Sequence, residues 1–338
     1  MIRKSKRFLA ILLSGVLTAA VLSGCTSEKN IGGNVKLENG EIEENSIVIK
    51  VGGIGVKYSE VLGYCYLLKE QYEDSFGSNI WDYKLDGGNT IGDDAKEEII
   101  NMITQLKVIG ATAEEEEVSL TNDERDEALQ KAEELLRTAS SKDKEKYHLS
   151  LQGLSSIYEE NALANKMFYI ATDDADTEVS SEEARQVKIE FFQIMTKGTT
   201  KSGVIVSLDE KERRTARERA SELRSAAAKT ENFLEFAEAN TEAEKVEMTI
   251  GQDNTELDRS IVTTAFSMKK GAISPVIGTG DGYYVLHCVD DNDEDATYAR
   301  REAIIEERQT KMFKQKYKKW LGDYEVSISK SFWKIFHI

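Results

Sequence analysis

The sequence is poor in the residues that most often carry catalysis or cross-links. Its 338 residues include three cysteines, three histidines and a single proline, Pro275. So few cysteines exclude a disulfide-rich scaffold, and their spacing fits no zinc site. The chain also lacks G-x-S-x-G, H-E-x-x-H and any Cys/His pairing, which argues against the common hydrolases. We therefore expect no metal and no cofactor.

Positive charge is also in short supply. The chain has 44 Lys and Arg against 61 Asp and Glu, which gives a formal net charge of -17. Such an acidic chain is a poor partner for nucleic acid or for an anionic membrane surface. With 40% apolar residues it can still bury one or two hydrophobic cores. The acidity favours solubility and basic partners.

The first residues combine a basic start with an apolar run. Basic residues at 3–7 precede the apolar stretch 8–22, and Leu22-Ser23-Gly24-Cys25 has the form of a lipobox. The apolar stretch is too short for a permanent membrane span. We predict that 1–24 is a lipoprotein signal peptide and that lipid on Cys25 anchors the protein to the outer face of a bacterial membrane. An ordinary signal peptide with a chance cysteine is the alternative.

The chain after Cys25 begins with a polar stretch. Residues 25–46 have no apolar period, which predicts a flexible tether. Residues 47–172 predict one strand, Ile47–Val51, and about four helices. These helices begin near Ser59, ahead of Ile99, at a Thr121–Glu124 capping box and at Ser155. Six aromatic residues of this region either line a cleft or pack in the core: Tyr64, Tyr66, Tyr72, Phe76, Trp81 and Tyr83.

A second module is predicted to start at Val187. A strand over 187–195, a helix after a Ser207–Glu210 capping box and a shorter helix after Thr230 follow in that order. The stretch 265–289 then predicts a helix end, a turn and two strands. Gly271 is expected to be the left-handed C-cap of that helix. Three glycines, at 278, 280 and 282, allow a chain reversal before a strand that begins at Tyr283.

This module, residues 187–290, resembles a parvulin-type peptidyl-prolyl isomerase. The family run F-x-L-x-x-G-x-I-S-x-P-V is matched at Phe266–Val276, with Pro275 one place early, and the G-Y that follows it is matched at Gly282-Tyr283. Phe233–Ala237 matches the family's F-x-x-L-A. The resemblance implies a small α+β sandwich that isomerises X-Pro bonds. In that family two histidines and a Cys or Asp polarise the amide beside an apolar proline pocket.

The positions that the resemblance implies for chemistry are substituted in this chain. The family's catalytic positions fall on Gln193, Tyr284 and Ala243. Its substrate-binding positions fall on Leu257, Ile261 and Phe266. His287 follows Tyr284 by three residues, so on a strand the two side chains lie on opposite faces. His287 therefore cannot stand in for the missing histidine. We expect the isomerase activity to be weak or lost.

The rest of the chain resembles the PrsA/SurA-type extracytoplasmic foldases, which also have V-S-L-T-N-D-E at a helix start, here 118–124. In those proteins a C-terminal helix and strand complete the N-terminal domain, with the isomerase module inserted between. We expect residues 296–338 to do the same, through a helix from Ala296 to Leu321 and a strand, Val326–Ile328, that pairs with Ile47–Val51. The apolar tail 332–338 is expected to pack on that domain.

The predicted fold class is therefore α+β, a mostly helical domain with an inserted parvulin-like sandwich. The predicted protein is a membrane-anchored extracytoplasmic folding factor that acts on unfolded or secreted client proteins. Two alternatives stay open: an active isomerase with a remodelled pocket, and a structural envelope lipoprotein that does no work on clients. Cys65 and Cys288 are interpreted as buried structural thiols, with a disulfide as the alternative.

Overall fold

The structure is a computed structural model that describes residues 37–38, 41–85, 87–199 and 205–336. The chain divides into two compact units, the first from residues 1–175 with 309–338 and the second from residues 176–308. Helices and small antiparallel sheets occur in both units. The predicted α+β class is confirmed.

The first part of the first unit has two small antiparallel sheets, to which β1–β2 and β3–β4 belong, followed by helices. Strand β3 carries the residues predicted for it, and the helices begin within a few residues of their predicted starts. The elements are β1 (Leu37–Glu38), β2 (Glu41–Ile42), β3 (Ile47–Val51), β4 (Ile54–Lys57), α1 (Tyr58–Phe76), a 3-10 turn (Ser78–Asp82), α2 (Ile91–Glu115), α3 (Asn122–Thr138), α4 (Ser141–Lys146) and α5 (Leu151–Ala171).

Side-chain caps explain most of these helix starts. The predicted Thr121–Glu124 capping box is present, with Thr121 Oγ1 accepting from the Glu124 N–H at 3.2 Å. The predicted start of α5 at Ser155 was wrong, because Ser150 accepts from the Gly153 N–H and starts the helix earlier. Helix α4 was not predicted, since its six residues are polar and have no apolar period.

Part of the predicted tether is ordered. Strands β1 and β2 pair antiparallel, with Leu37 opposite Ile42, and Ile42 is buried. The prediction of a structureless 25–46 was therefore wrong for these residues. The missed sequence signal is Asn-Gly at 39–40, a dipeptide that is strongly preferred between hairpin strands.

The second unit is built around one antiparallel sheet of order β8-β5-β10-β9. Strand β5 has the residues predicted for it, and β10 extends the predicted strand by one residue at each end. The elements are α6 (Ser181–Ala184), β5 (Val187–Met195), β6 (Lys197–Thr199), β7 (Ile205–Ser207), α7 (Glu210–Ala227), α8 (Phe233–Asn240), β8 (Glu247–Ile250), α9 (Arg259–Ser267), β9 (Ile277–Gly278) and β10 (Gly282–Asp290).

Helices cover both faces of this sheet, because β5 and β10 alternate large side chains on the two sides. On one face Phe192 and Val285 pack with Phe233 of α8, and Ile194 packs with residues of α7. On the other face Phe191 and its neighbours on β10 pack with α9. The two faces therefore have separate apolar cores.

Two cap predictions in this unit were wrong. Helix α7 is capped by Asp209, in a box with Glu212, because Ser207 belongs to strand β7 instead. Gly271 has a left-handed φ of 81°, as predicted, but α9 ends earlier, with Met268 as its C-cap. The Gly271 N–H bonds to the Cys288 carbonyl at 2.7 Å. The glycine therefore serves a turn against β10.

The C-terminal elements are α10 (Glu294–Leu321), β11 (Val326–Ile328) and α11 (Lys330–Ile335). Strand β11 pairs antiparallel with β3, with Val326 opposite Val51 and Ile328 opposite Ile49. The predicted pairing of the two chain ends is confirmed. Phe332 and Phe336 are buried in the core of the first unit, so the packing predicted for the tail holds as far as residue 336.

Candidate functional site

Gln193 and Tyr284 lie directly opposite each other on β5 and β10. Partners in such a register point to the same face of a sheet, so the two substituted positions share one surface. Both residues are 6% exposed. The Tyr284 ring packs against Phe191, with ring centroids 6.0 Å apart. The structure brings these two predicted residues together and leaves little of either at the surface.

The remaining predicted residues lie around the same face. Tyr284 belongs to one apolar cluster that also contains Ala243, Leu257, Ile261 and Phe266. Leu257 lies two residues before α9, and Ile261 lies in the first turn of this helix. Ile261 is 1% exposed, so in this conformation it is a core residue with no surface to offer a proline ring.

Phe266, at the end of α9, has a structural partner. The Arg185 guanidinium lies over its ring at 4.6 Å, and Arg185 Nη2 donates to the Phe266 carbonyl at 3.0 Å. A guanidinium over an aromatic face is a favourable cation–π contact. This contact ties the end of α9 to Arg185, two residues before β5. Arg185 was not singled out from the sequence.

Tyr284 is also held by a residue that the sequence reading missed. Its hydroxyl donates to Asp281 Oδ2 at 3.2 Å. Burial raises the pKa of Tyr284 well above its usual value, and the nearby carboxylates of Asp281 and Asp258 add to the effect. The phenol therefore stays protonated at neutral pH. Asp281 lies three residues before Tyr284 in the turn that begins β10, and that position was its only sequence signal.

The backbone of Gln193 fixes the loop that carries Ala243. The Gln193 N–H donates to Thr241 Oγ1 at 3.0 Å, and its carbonyl accepts from the Glu242 N–H at 2.8 Å. Ala243 donates to the same Thr241 hydroxyl at 3.0 Å. This loop therefore pairs with β5 beyond the part of β5 that β8 covers. Ala243, predicted for the third polar position of the family, has only a methyl side chain.

Gly282 is required beside Gln193 for a steric reason. A Cβ atom at residue 282 would lie 2.7 Å from the Ile194 carbonyl oxygen and 2.9 Å from Gln193 Nε2. Real side chains do not approach so closely. The glycine therefore permits the close contact of β10 with β5 at this point.

His287 lies on the other face of the sheet, as its spacing from Tyr284 predicted. Its Nδ1 is 2.9 Å from Glu190 Oε2, and its ring centroid is 5.0 Å from that of Phe233. Phe233 belongs to the core under α8. His287 therefore cannot reach the surface that Gln193 and Tyr284 share.

A cleft lies beside the end of β5, where no site was predicted. It is lined by Ile194 and Met195 of β5, by the start of α7 and by Arg219 and Glu242. Glu242 accepts from the Met195 N–H and from Arg219 Nη1, each at 2.7 Å. The Glu242 carboxylate therefore occupies the last backbone donor of this strand.

The aromatic residues of the first unit divide into two groups. Tyr64 and Tyr66 are each 1% exposed and belong to the core, which rules them out as cleft residues. Phe76 and Tyr83 are 69% and 63% exposed. Tyr72 and Trp81 have intermediate exposure, with each side chain half-buried. The sequence did not separate these six residues, because an aromatic side chain in or beside a helical pattern fits either place.

The predicted lipidation residue, Cys25, lies outside the described residues. Within the described part of the chain, no helix has the length and apolar character needed to cross a membrane. Cys65 and Cys288 are both buried and free, so the interpretation as structural thiols is confirmed. Burial raises the pKa of both thiols, which disfavours the reactive thiolate.

The second unit is a small α+β sandwich with a polar pair on one face of its sheet. Residues 197–300 match the family model of the PPIC-type PPIASE domain, so this part of the chain is a parvulin-type domain. The match begins after β5 and does not include Gln193. The assignment of Gln193 therefore depends on its register with Tyr284.

Whole-chain comparisons add low overall similarities. PrsA from Bacillus subtilis is 14% identical, covering 71% of this chain and 91% of that one, with a TM-score of 0.25. PrsA from Lactococcus lactis is 14% identical over 85% and 96%, with a TM-score of 0.32. A SurA-like chaperone from Campylobacter jejuni is 10% identical over 85% and 100%, with a TM-score of 0.31. No curated protein shows a significant match.

Proposed function

We propose that this protein is an extracytoplasmic folding factor whose parvulin-type domain has weak or no isomerase activity. Lipid on Cys25 holds it to the outer face of a bacterial membrane, and unfolded or secreted proteins are its clients. The observation that carries the proposal is a parvulin-type sheet whose polar positions are a buried Gln193 and a buried, hydrogen-bonded Tyr284.

The chemistry of X-Pro isomerisation explains why these substitutions matter. Rotation about a peptide bond has a barrier of roughly 18–20 kcal/mol, and an enzyme lowers it by holding the twisted amide among preorganised donors. The Tyr284 hydroxyl donates a hydrogen bond to Asp281, and the Ala243 side chain has no donor. Losing such donors costs a factor of about a hundred or more in rate. The domain therefore keeps the fold and loses most of the catalysis.

A matched pair of assays tests this proposal on the full chain. A protease-coupled assay with a proline peptide is expected to show little acceleration beyond the spontaneous rate, while aggregation of an unfolded client is suppressed. Absence of suppression would support the structural lipoprotein alternative and would contradict the proposal.

An active isomerase is the second candidate, because Gln193 and Tyr284 both carry donors on one face of the sheet. Robust turnover that is abolished by Tyr284→Phe would support it. His287→Gln is the matched control, because His287 lies on the opposite face and its loss leaves the Gln193 and Tyr284 surface unchanged. Turnover lost equally in both variants would indicate damage to the fold.

A further inference from the structure

The end of α1 and the chain that follows it present an exposed aromatic surface, here called the aromatic tip. The Tyr72 ring is 6.2 Å from the Phe76 ring and 5.4 Å from the Trp81 ring. Two residues of the following loop, Tyr83 and Leu85, are also exposed and are counted with this surface. Exposed apolar clusters of this kind mark interaction surfaces, whereas single exposed apolar residues do not.

Hydrogen bonds to acidic side chains hold two rings of the aromatic tip in place. Trp81 Nε1 donates to Glu73 Oε1 at 2.8 Å, and the Tyr72 hydroxyl donates to Glu98 Oε2 at 3.3 Å. Both rings keep part of their surface exposed. Anchors that are ordered before binding lose less conformational entropy when a partner docks. Aromatic side chains of this kind dominate the affinity of protein interfaces.

The aromatic tip is surrounded by negative charge. Residues 69–98 contain nine Asp and Glu against three Lys. Two of these lysines are engaged elsewhere: Lys69 pairs with Glu70 and Glu73, and Lys96 lies over the Trp333 ring at 4.3 Å. This segment therefore carries a net negative charge, which favours a cationic partner.

We infer that the aromatic tip binds extended client segments in which Lys or Arg alternates with apolar or aromatic residues. The apolar side chains pack on Phe76 and Tyr83, and the cations lie over ring faces and beside the acidic rim. A second copy of the chain would bring two acidic rims together, and acidic segments would be repelled in the same way. This inference rests on the proposed function, for which it names the class of client.

Fluorescence anisotropy tests the inference. Labelled peptides are titrated with the full chain, which is purified in detergent. One peptide alternates Lys with Phe, a second has Glu for Lys, and a third has Ser for Phe. The Lys–Phe peptide is expected to bind at least about tenfold more tightly than the other two, with affinity that falls as salt is added. Equal binding of the Glu–Phe peptide would overturn the inference.

Variants then locate the site. Phe76→Ser combined with Tyr83→Ser should weaken Lys–Phe binding about tenfold or more. Tyr298→Ser is the matched control, since Tyr298 is an aromatic residue of similar exposure, 66%, in the second unit. Unchanged binding by the double variant would overturn the inference. Light scattering gives a second check. A dimer for the native chain and a monomer for the double variant would also overturn the inference, because a second copy would then cover the aromatic tip.

The two proposals fail differently. Client aggregation suppressed equally by the native chain and the double variant would leave the folding function standing and would count against the aromatic tip. Suppression absent in the native chain would contradict the folding function, while the peptide titrations would still decide whether the tip selects cationic apolar segments.

Discussion

Tyr284 donates its hydroxyl proton to Asp281, 3.2 Å away, on the same face of the sheet as Gln193. At the position where the sequence resemblance predicts a family histidine, this chain has a buried phenol that is hydrogen-bonded to a neighbouring carboxylate. A hydrogen bond of this kind stabilises the turn that starts β10. It also leaves the Tyr284 hydroxyl without a free hydrogen to donate to a substrate.

Restoring the family residues should restore activity. Gln193→His with Tyr284→His supplies two imidazoles on one face, because the positions are directly opposite in the register. We expect isomerase turnover to rise about tenfold or more over the native chain, measured with a protease-coupled proline peptide. The control is His287→Gln in the same double variant, which should keep the gain. No rise in a folded double variant would show that the pocket itself is closed.

Lys107 is predicted to be essential to the stability of the first unit. It bridges Glu60 at 2.6 Å and Glu160, and Tyr64 donates to Glu160 at 2.7 Å. Lys107→Met would leave two largely buried carboxylates without their cation, at a cost of about 3 kcal/mol in the free energy of unfolding. Urea unfolding measures this. Lys131→Met, at an exposed position of α3, is the control, and an unchanged midpoint for Lys107→Met would contradict the prediction.

The same cluster predicts a pH dependence. Burial raises the pKa of Glu60 above 4.5, its usual value, although Lys107 opposes the shift. A raised folded pKa adds stability below the unfolded pKa, and this contribution is lost as pH rises through the folded value. Glu60→Gln should therefore stabilise the protein at neutral pH, with a difference that shrinks on acidification.

Glu124 provides a control of opposite sign for Glu60. The pKa of Glu124 is lowered by its hydrogen bonds with Lys166 and with the Thr121 N–H. Its contribution is present above the unfolded pKa and is lost as pH falls. Glu124→Gln should therefore destabilise at neutral pH and lose its effect in acid. Urea unfolding from neutral to acid pH measures both variants. A change in the free energy of unfolding with the same sign in both would refute the assignment.

Removal of the chain after Leu321 should unfold the first unit selectively. The truncation deletes β11, which pairs with β3, and Phe332, which is fully buried. The loss of Phe332 alone costs about 3–5 kcal/mol, as estimated for Phe332→Ala. Hydrogen exchange should show lost protection in residues 47–170 and retained protection in 187–290. Ile335→Ser, at a half-exposed position of α11, should leave both regions protected.

The anchor is tested by Cys25→Ser. Without the thiol there is no site for lipid, so we expect the variant to be released from membranes or to remain unprocessed. Membrane fractionation and the size of the processed chain measure this. Membrane association and trimming identical to those of the native chain would contradict the lipoprotein assignment. Cys65→Ser is the control, because Cys65 is buried in the core.

Local patterns in the sequence predicted most of the helices but fewer of the strands, and β4, β6, β7 and β8 were not predicted. Strand β5 was predicted to the residue, because alternating side chains are a property of the strand itself. Helix starts were less certain where two capping residues compete within one turn. Ser207 and Asp209 both suit an N-cap, and the pairing of β7 with β6 decides that Asp209 is used.

The sequence also predicted which residues share the candidate site, but not their exposure. The alternation along β10 was enough to separate Tyr284 from His287. Asp281 was missed because its bond to Tyr284 depends on the conformation of a turn. Ile261 was expected to contact substrate and is instead buried. Exposure depends on what packs above a residue, and a single pattern does not contain that information.

The sequence by itself determined strands β3 and β5 and most of the long helices, and its resemblance to the PrsA/SurA-type foldases indicated the pairing of the two chain ends. The strands and helices follow from periodicity and residue identity, which are local properties of the chain. Only the tertiary structure decided that Tyr64 and Tyr66 are core while Phe76 and Tyr83 are exposed. The physical reason is that burial is set by contacts between residues distant in sequence, such as Tyr64 with Glu160.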